Sequence, residues 1–315
     1  MDKKSIQEIG KKQLGGIPLE ISRKTIGLCN EVYELTYESE SFILRMNKAK
    51  EWIYGTHQFL PIFKELHINT PDIVAADYSK TAFPFCYQIQ TKLQGQDLGL
   101  VIDSLSPANL KAIAADISNI FDKFSSLPPK EDFGGLSGMN EEKVGNLLEV
   151  ISNQRRGILE RNETSNVLGR EIIAILNELI HDYKEYFSTA QPKLYYDDIS
   201  AKNVMIHNGR FVGLVDLDFL RKGDYLEALG AIMACWHGEE YGDIYLNEII
   251  ALQGLNEYQQ NIIKVYAILH LMMWTTEEGI KFNSNSSGTI NWENVEKKKT
   301  KIMNVYSSIH RSGGR

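Results

Sequence analysis

Three side chains in the stretch 194–219, LYYDDISAKNVMIHNGRFVGLVDLDF, have the types and spacing that can bind a divalent cation. Asp198 lies five residues before Asn203, and Asp216 follows after two short apolar runs. Mg²⁺ prefers oxygen ligands and is usually held by one or two carboxylates with phosphate oxygens and water. In phosphoryl transfer, an aspartate takes the substrate hydroxyl proton, while an asparagine five residues later and a second aspartate hold metal. The pattern therefore predicts phosphoryl-transfer chemistry.

The two apolar runs predict a β-hairpin that brings these side chains together. They are joined by HNGR at 207–210, and Asn-Gly is a strong hairpin signal because both residues tolerate positive φ. Because a hairpin returns to its starting point, Asn203 and Asp216 should be neighbours, with Asp198 on the entering loop. The alternative is that these residues cap turns and strand ends, which suits each residue singly but leaves their combined order unexplained.

The first third of the chain has the patterns of a β-rich unit. The segment NEVYELTYESESFILRM at 30–46 predicts two strands joined by a polar turn. In the second strand, Phe42, Leu44 and Met46 share one face, while Arg45 lies on the other. Further strands are predicted in TPDIVAADYS and PFCYQIQTKLQGQDL, and the stretch EWIYGTHQFLPIFKELH between them is predicted to be mostly helical.

After Gly95 the apolar residues recur mainly at helical spacing. Ser106 is a suitable N-cap, and Pro107 at the first helical position predicts the start of a long helix. The same periodicity predicts further helices at 141–153, 168–187, 225–238, 243–252 and 256–282.

Composition and charge exclude several classes of protein. The 315 residues are 43% hydrophobic and 24% charged, which is typical of a globular protein with a sizeable core. The net charge of -7 argues against nucleic-acid partners and acidic membranes. It is compatible with a cationic small substrate, although solubility alone also explains it.

The cysteines and the apolar runs indicate a cytoplasmic protein with reduced thiols. Cys29, Cys86 and Cys235 lie far apart, without the spacing of a zinc site, and an odd number argues against a disulfide framework. The N-terminal sequence lacks the apolar run of a signal peptide. No stretch approaches the roughly 20 apolar residues of a membrane span, so no membrane association is expected.

The segment 195–229, YYDDISAKNVMIHNGRFVGLVDLDFLRKGDYLEAL, resembles the catalytic core of the aminoglycoside phosphotransferase and choline kinase family, relatives of the protein kinases. The family pattern there is roughly H-G-D-x-x-x-x-N, a hairpin, and then I-D-W-D. The segment 25–47, TIGLCNEVYELTYESESFILRMN, is similar to the family's nucleotide-binding hairpin. The resemblance implies an α+β, bilobal protein-kinase-like fold, with a small β-rich N-lobe at 1–92 and a larger helical C-lobe at 93–315.

The resemblance also implies roles for individual residues. Asp198 would be the catalytic base, and Asn203 and Asp216 would hold Mg²⁺. Arg45 would replace the strand lysine that contacts the nucleotide phosphates, for which its planar fork of donors is suited. The remaining nucleotide-binding residues would be Gly27 and Asn30 in the first turn, and Gln90, Thr91 and Lys92 in the linker that meets the base.

The sequence departs from the family pattern at three places. Tyr196 and Asp197 replace the histidine and glycine before Asp198, and the adjacent carboxylates could raise each other's pKa or bind a cationic substrate. Gly27 has no second glycine near it. The helix acid expected to pair with Arg45 is absent from the window 56–58, which leaves Glu51 and Glu65 as candidates outside it.

The sequence thus predicts Mg²⁺-dependent transfer of the γ-phosphoryl group of ATP or GTP to a hydroxyl of a small molecule. The alternative is a nucleotide-binding module without catalysis that acts through a partner. Glu239, Glu240 and Asp243 could hold an amine-bearing acceptor, although acids also favour helix N-termini. The identity of the acceptor and the oligomeric state stay open.

Overall fold

The computed structural model of the protein describes residues 3–25, 29–282 and 288–309. Its first part combines an antiparallel sheet with two α-helices. The elements of this part are, in order, α1 (Lys3–Leu14), β1 (Glu20–Lys24), β2 (Glu31–Thr36), β3 (Ser41–Asn47), α2 (Gly55–Glu65), β4 (Ile73–Asp77) and β5 (Cys86–Thr91).

The predicted hairpin of β2 and β3 forms the middle of this sheet. The strand order is β1-β2-β3-β5-β4, and all neighbours are antiparallel. Phe42, Leu44 and Met46 share one face as predicted; they are buried, and α1 covers that face with Ile6 and Ile9. Since side chains alternate along a strand, this places Arg45 on the opposite face of the sheet.

The second part is mainly helical. Its elements are, in order, β6 (Gln96–Asp97), α3 (Pro107–Ser125), β7 (Gly134–Ser137), α4 (Leu147–Ser165), α5 (Arg170–Asp182), α6 (Lys184–Thr189), β8 (Lys193–Tyr195), β9 (Val204–His207), β10 (Arg210–Leu214), β11 (Phe219–Gly223), α7 (Leu226–Trp236), α8 (Glu240–Leu252), α9 (Glu257–Thr276) and α10 (Trp292–Ser307). No helix of the described residues is long and apolar enough to cross a membrane.

The second predicted hairpin is also confirmed. Strands β9 and β10 are antiparallel, and the turn between them has φ angles of 49° at Asn208 and 71° at Gly209. Strand β6 pairs with the other edge of β9, so the linker that leaves the first sheet lies beside the hairpin. A further three-stranded sheet has the order β7-β11-β8, and its central strand β11 follows the hairpin in sequence.

The helical core includes α2 as well as the helices of the second part. Phe59 and Phe63 of α2 are buried in the same apolar cluster as Phe124 of α3 and Tyr196, whereas the core under the five-stranded sheet is separate. The β-rich first part and the helical second part confirm the predicted α+β class. The boundary at residue 92 stays a prediction, because α2 precedes it in sequence but packs with the helical core.

Three helix predictions differ in extent from the structure, and one helix was not predicted. The predicted helix at 256–282 ends at Thr276. The predicted helix at 141–153 begins only at Leu147, because Asn146 caps it and the preceding residues form bridges to the β7 region. The predicted helix at 168–187 is divided into α5 and α6 at Tyr183. Helix α10 was not predicted, since its buried positions are few and are separated by lysines.

Gly95 lies where the chain passes from the first sheet into β6, and a substitution there tests whether this position requires glycine. Its φ is +102°, and a Cβ there would lie 2.1 Å from the carbonyl oxygen of Ile206. We expect Gly95→Ala to lower the free energy of unfolding by about 2 kcal/mol or more, because both the backbone conformation and the space disfavour a side chain.

The matched control is Gly145→Ala, where only the flexible Glu149 side chain comes within 4.0 Å. Denaturant unfolding followed by circular dichroism would measure both variants. Equal stability of the two variants would contradict the role assigned to Gly95.

Candidate active site

A cavity of about 660 Å³ lies between the first sheet and the β9–β10 hairpin. Its walls come from the sheet, the linker and the loops around the hairpin. Apolar side chains such as Val32, Ile43 and Met205 form part of them. The structure brings together these residues singled out from the sequence: Asn30, Arg45, Gln90, Thr91, Lys92, Asp198, Asn203 and Asp216. Gly27 lies outside the described residues.

Asn203 and Asp216 are held in a backbone conformation that few residues adopt. Their φ angles are 70° and 59°, in the left-handed region. The amide of Val215 donates to the Asn203 carbonyl at 3.0 Å, and the Asn203 amide donates to Asp97 Oδ1 at 2.9 Å. Such strain persists only where surrounding contacts hold it, and it clusters at functional sites.

The Asn203 side chain is oriented by the loop that carries Asp198. Its Nδ2 donates to the Asp198 carbonyl at 3.1 Å, so its Oδ1 is left as an acceptor. The Asp216 side chain is 43% exposed and lines the cavity. One amide oxygen and one carboxylate are therefore available at the same end of the cavity.

Tyr196, the first departure from the family pattern, supports the backbone of this site. Its hydroxyl donates to the carbonyls of Val215 at 3.0 Å and Asp216 at 3.1 Å. Its buried ring packs edge-on against Phe63 of α2, with 5.6 Å between ring centroids. The tyrosine thus links the left-handed segment at Asp216 to the helical core.

Arg45 is buried on the sheet face that meets the cavity. Its Nη2 lies 2.6 Å from Asp216 Oδ1 and also forms an ion pair with Asp218, while its Nη1 donates to Thr56 Oγ1 at 2.9 Å. Burial acts to lower the pKa of the guanidinium, but the two carboxylates outweigh it and raise the pKa above its usual value. The acid missing from α2 is therefore replaced by carboxylates from the segment after β10.

Asp198 is exposed at the edge of the cavity and has a raised pKa of about 7. Burial by the surrounding protein contributes most, followed by the negative charges of Asp197 and Asp216. Because Asp198 is exposed in the cavity, water reduces the effect of burial on its pKa. The negative charges of Asp197 and Asp216 therefore explain why this pKa is raised. The pKa of Asp216 is raised by the surrounding protein and by the neighbouring Asp218 carboxylate, and the Arg45 guanidinium opposes this shift.

Asp197, the second departure, has a partner of its own. Its Oδ2 accepts from Arg221 Nε at 2.5 Å, and Arg221 also lies 3.9 Å from Glu227. The expectation that Asp197 might bind a cationic substrate is thus disfavoured, because its charge is already compensated by a guanidinium.

At the far end of the cavity, the linker residues are also engaged with the protein. The Thr91 amide donates to the Asp72 carbonyl at 2.9 Å, so it is not available to a ligand. The Lys92 ammonium pairs with Glu34 at 2.5 Å. Gln90 is buried, and its Nε2 donates to Gln88 at 3.0 Å. A role of this linker in binding a base stays a prediction.

Lys202 and Asp97 are charged cavity residues close to Asn203 that sequence reasoning missed. Lys202 lines the cavity, and its position immediately before Asn203 was a signal that could have identified it. Asp97 lines it too, but its bond to the Asn203 amide depends on the pairing of β6 with β9, which the sequence does not reveal. The acids Glu239, Glu240 and Asp243 are exposed at the start of α8, as the helix-terminus alternative expects.

The chain belongs to the phosphotransferase enzyme family, whose model matches residues 21–260. This match confirms the resemblance identified from the sequence. A search of curated proteins found no match.

Solved aminoglycoside phosphotransferases share the fold at low sequence identity. An apo thermostable mutant of APH(4)-Ia has a TM-score of 0.71 at 13% identity, covering 98% of this chain and 100% of that one. A mutant of aminoglycoside 2'-phosphotransferase-IIIa in complex with GDP has a TM-score of 0.73 at 14% identity, with coverage of 98% and 100%. The gentamicin complex of APH(2'')-IIa has a TM-score of 0.65 at 12% identity, covering 96% of each chain. These similarities confirm the predicted kinase-like fold.

The support given by Tyr196 can be tested by removing its hydroxyl. We expect Tyr196→Phe to lower the free energy of unfolding by about 1–2 kcal/mol, because the partly buried carbonyls of Val215 and Asp216 lose the hydroxyl donor that they share. Denaturant unfolding would measure the change.

Tyr245→Phe is the matched control. Its buried hydroxyl has no hydrogen-bond partner among the residues that the structure describes. This change should be neutral within about 0.5 kcal/mol or slightly stabilising. Equal losses in both variants would show that the Tyr196 hydroxyl does not have the proposed supporting role.

Proposed function

We propose that the protein transfers the γ-phosphoryl group of ATP or GTP to a hydroxyl of a small molecule in a Mg²⁺-dependent reaction. The observation that carries the proposal is the meeting of Asp198, Asn203 and Asp216 at one end of the cavity, beside the buried Arg45. Membership of the phosphotransferase enzyme family supports the type of reaction.

The cavity has the features expected of a nucleotide site. Val32, Ile43 and Met205 provide apolar surface that suits a planar base, and the linker at 90–92 would contact the base edge. At the other end, Arg45 would contact phosphate oxygens through its donors. Solved relatives contain AMP-PNP with hygromycin B, ADP with hygromycin B, or GDP, which supports either purine triphosphate as co-substrate.

The residues present fit a magnesium ion. Asn203 Oδ1 and the Asp216 carboxylate are oxygen donors, and few protein ligands are needed, because Mg²⁺ usually keeps waters and binds substrate phosphates. No cluster of three or more His, Cys, Asp or Glu side chains suited to a metal occurs within 3–25, 29–282 and 288–309. The site would therefore depend on the nucleotide to complete the coordination. When bound, Mg²⁺ would neutralise charge on the phosphates.

Asp198 would orient the acceptor hydroxyl and take its proton. The acceptor oxygen forms a bond to the γ-phosphorus as the bond from that phosphorus to the β,γ-bridging oxygen breaks, which leaves a nucleoside diphosphate. The hydroxyl proton passes to the Asp198 carboxylate. A raised pKa suits this task, because it makes the carboxylate a stronger base for the hydroxyl proton. Arg45 would stabilise charge that develops on the phosphates.

A cationic acceptor is supported by two observations. The chain has a net charge of -7, which is compatible with a cationic small substrate. Solved relatives contain hygromycin B or gentamicin. We therefore propose a hydroxyl-bearing small molecule with amino groups as the acceptor.

The non-catalytic alternative rested on two departures from the family pattern. Arg45 has carboxylate partners despite the missing helix acid, and Tyr196 supports the backbone of Asp216. Neither departure therefore favours a module without catalysis. We also propose a cytoplasmic location, supported by the free thiols of Cys29, Cys86 and Cys235, and lobes at 1–92 and 93–315.

The test of catalysis is nucleoside diphosphate release with Mg²⁺ across a panel of amine-bearing and neutral hydroxyl acceptors. We expect an amine-bearing acceptor to stimulate release, and Asp198→Asn to lower kcat on the order of 100- to 10,000-fold, because the carboxylate that takes the proton is lost.

Asp103→Asn is the matched control, because Asp103 is an exposed acid outside the cavity. It should retain the activity of the unmodified protein. Triphosphate binding without stimulation by any acceptor would favour the non-catalytic alternative, and the absence of triphosphate binding would overturn the proposal.

The metal site can be tested separately by thermal unfolding with ATP and Mg²⁺. The unmodified protein should gain stability that depends on both, because ligand binding to the folded state raises the melting temperature. Asp216→Asn should lose the Mg²⁺-dependent part of this gain. An unchanged gain in the variant would contradict the assignment of Asp216 as a metal ligand.

A further inference from the structure

The Asp218 carboxylate is completely engaged by three segments of the protein. It is 1% exposed. Its Oδ1 accepts from the Thr56 amide at 2.9 Å and from Thr56 Oγ1 at 2.7 Å. Its Oδ2 pairs with Arg45 and accepts from Asn30 Nδ2 at 3.2 Å. A buried carboxylate needs donors on both oxygens, because hydrogen bonds replace the water it has lost.

The first turn of α2 provides a fixed platform for this carboxylate. The Thr56 amide belongs to the four N-terminal amides of a helix that have no partner within it, and these favour an anion. A Cβ on Gly55 would lie only 1.8 Å from the Asp218 carbonyl oxygen, so helix and segment are in direct contact. The rest of α2 is anchored in the helical core by Phe59 and Phe63. Asp218 and α2 therefore form one rigid support.

This support fixes the orientation of the Arg45 guanidinium. Nη1 is bound by Thr56 Oγ1, and Nη2 is bound by Asp218 and Asp216. The guanidinium is planar, so two anchored nitrogens define the direction of the whole fork. Arg45 lines the cavity that we assign to the nucleotide.

We propose that Asp218 is the residue that positions Arg45 for the phosphates of the nucleotide, in place of an acid on α2. This inference rests on the proposed function. Asp218 does not serve as a metal ligand, because both of its oxygens are engaged and it is not among the described residues that line the cavity. Asp216, by contrast, lines the cavity and remains 43% exposed.

The test compares binding of ATP with binding of adenosine, measured by calorimetry. Asp218→Asn should weaken ATP binding by roughly tenfold to a hundredfold, because the lost anion no longer fixes the group that contacts phosphate. Adenosine binding should stay within about twofold, since the base end of the cavity is unchanged. A general structural defect would weaken both ligands equally, and that outcome would overturn the inference.

A rescue experiment moves the carboxylate to the helix. The double variant Thr56→Asp/Asp218→Asn restores one anion within reach of Arg45, since Thr56 Oγ1 already lies 2.9 Å from Nη1. Aspartate is close to threonine in size and suits the first turn of a helix. We expect the double variant to regain at least half of the lost ATP affinity on a logarithmic scale. The control Thr56→Ser/Asp218→Asn keeps a hydroxyl without the charge and should not regain it.

The rescue also covers the case in which Asp218→Asn alone does not fold. A folded double variant that binds adenosine but not ATP would overturn the inference, and one that binds both would support it. If Asp218→Asn binds ATP as tightly as the unmodified protein does, this inference is overturned, whereas the proposed function is not. Failure of the unmodified protein to bind ATP or GTP would instead overturn the proposed function and, with it, this inference.

Discussion

The ion pairs between Arg45 and the carboxylates of Asp216 and Asp218 are the interaction on which the site depends. They join β3 of the five-stranded sheet to the segment that follows the β9–β10 hairpin. A buried guanidinium without partners would be strongly destabilising, so the sheet and the helical part must meet in the register that forms these pairs. Apart from this contact, the facing surfaces of the sheet and of the hairpin region are separated, and the space between them is the cavity.

The second constraint is the strained backbone at Asn203 and Asp216. Left-handed φ angles direct both side chains toward the cavity, and each is supported from a different element. Asp97 in the linker accepts from the Asn203 amide, and Tyr196 donates to the Asp216 carbonyl. The linker, the loop that contains Tyr196 and Asp198, and the helical core are therefore all required to hold two short polar side chains in place.

Sequence reasoning was most successful where a local rule decides the structure. The Asn-Gly turn at Asn208 predicted the hairpin, and alternation predicted the faces of β3, including that of Arg45. Sequence reasoning failed where the structure depends on a contact between residues that are far apart in sequence. No local pattern indicates that Asp218 pairs with Arg45 across 173 positions of sequence, or that Asp97 supports Asn203. The acid was expected from the helix after β3, whereas the carboxylates come from the segment after β10.

The anchoring of α2 in the helical core has a consequence for how the cavity can open. Thr56 and Asp218 belong to the helical body, whereas Arg45 belongs to the sheet. A wide rotation of one against the other would separate a buried cation from its anions, at a cost that a local change does not incur. A movement that opens the cavity without this cost would keep Arg45, Thr56 and Asp218 together.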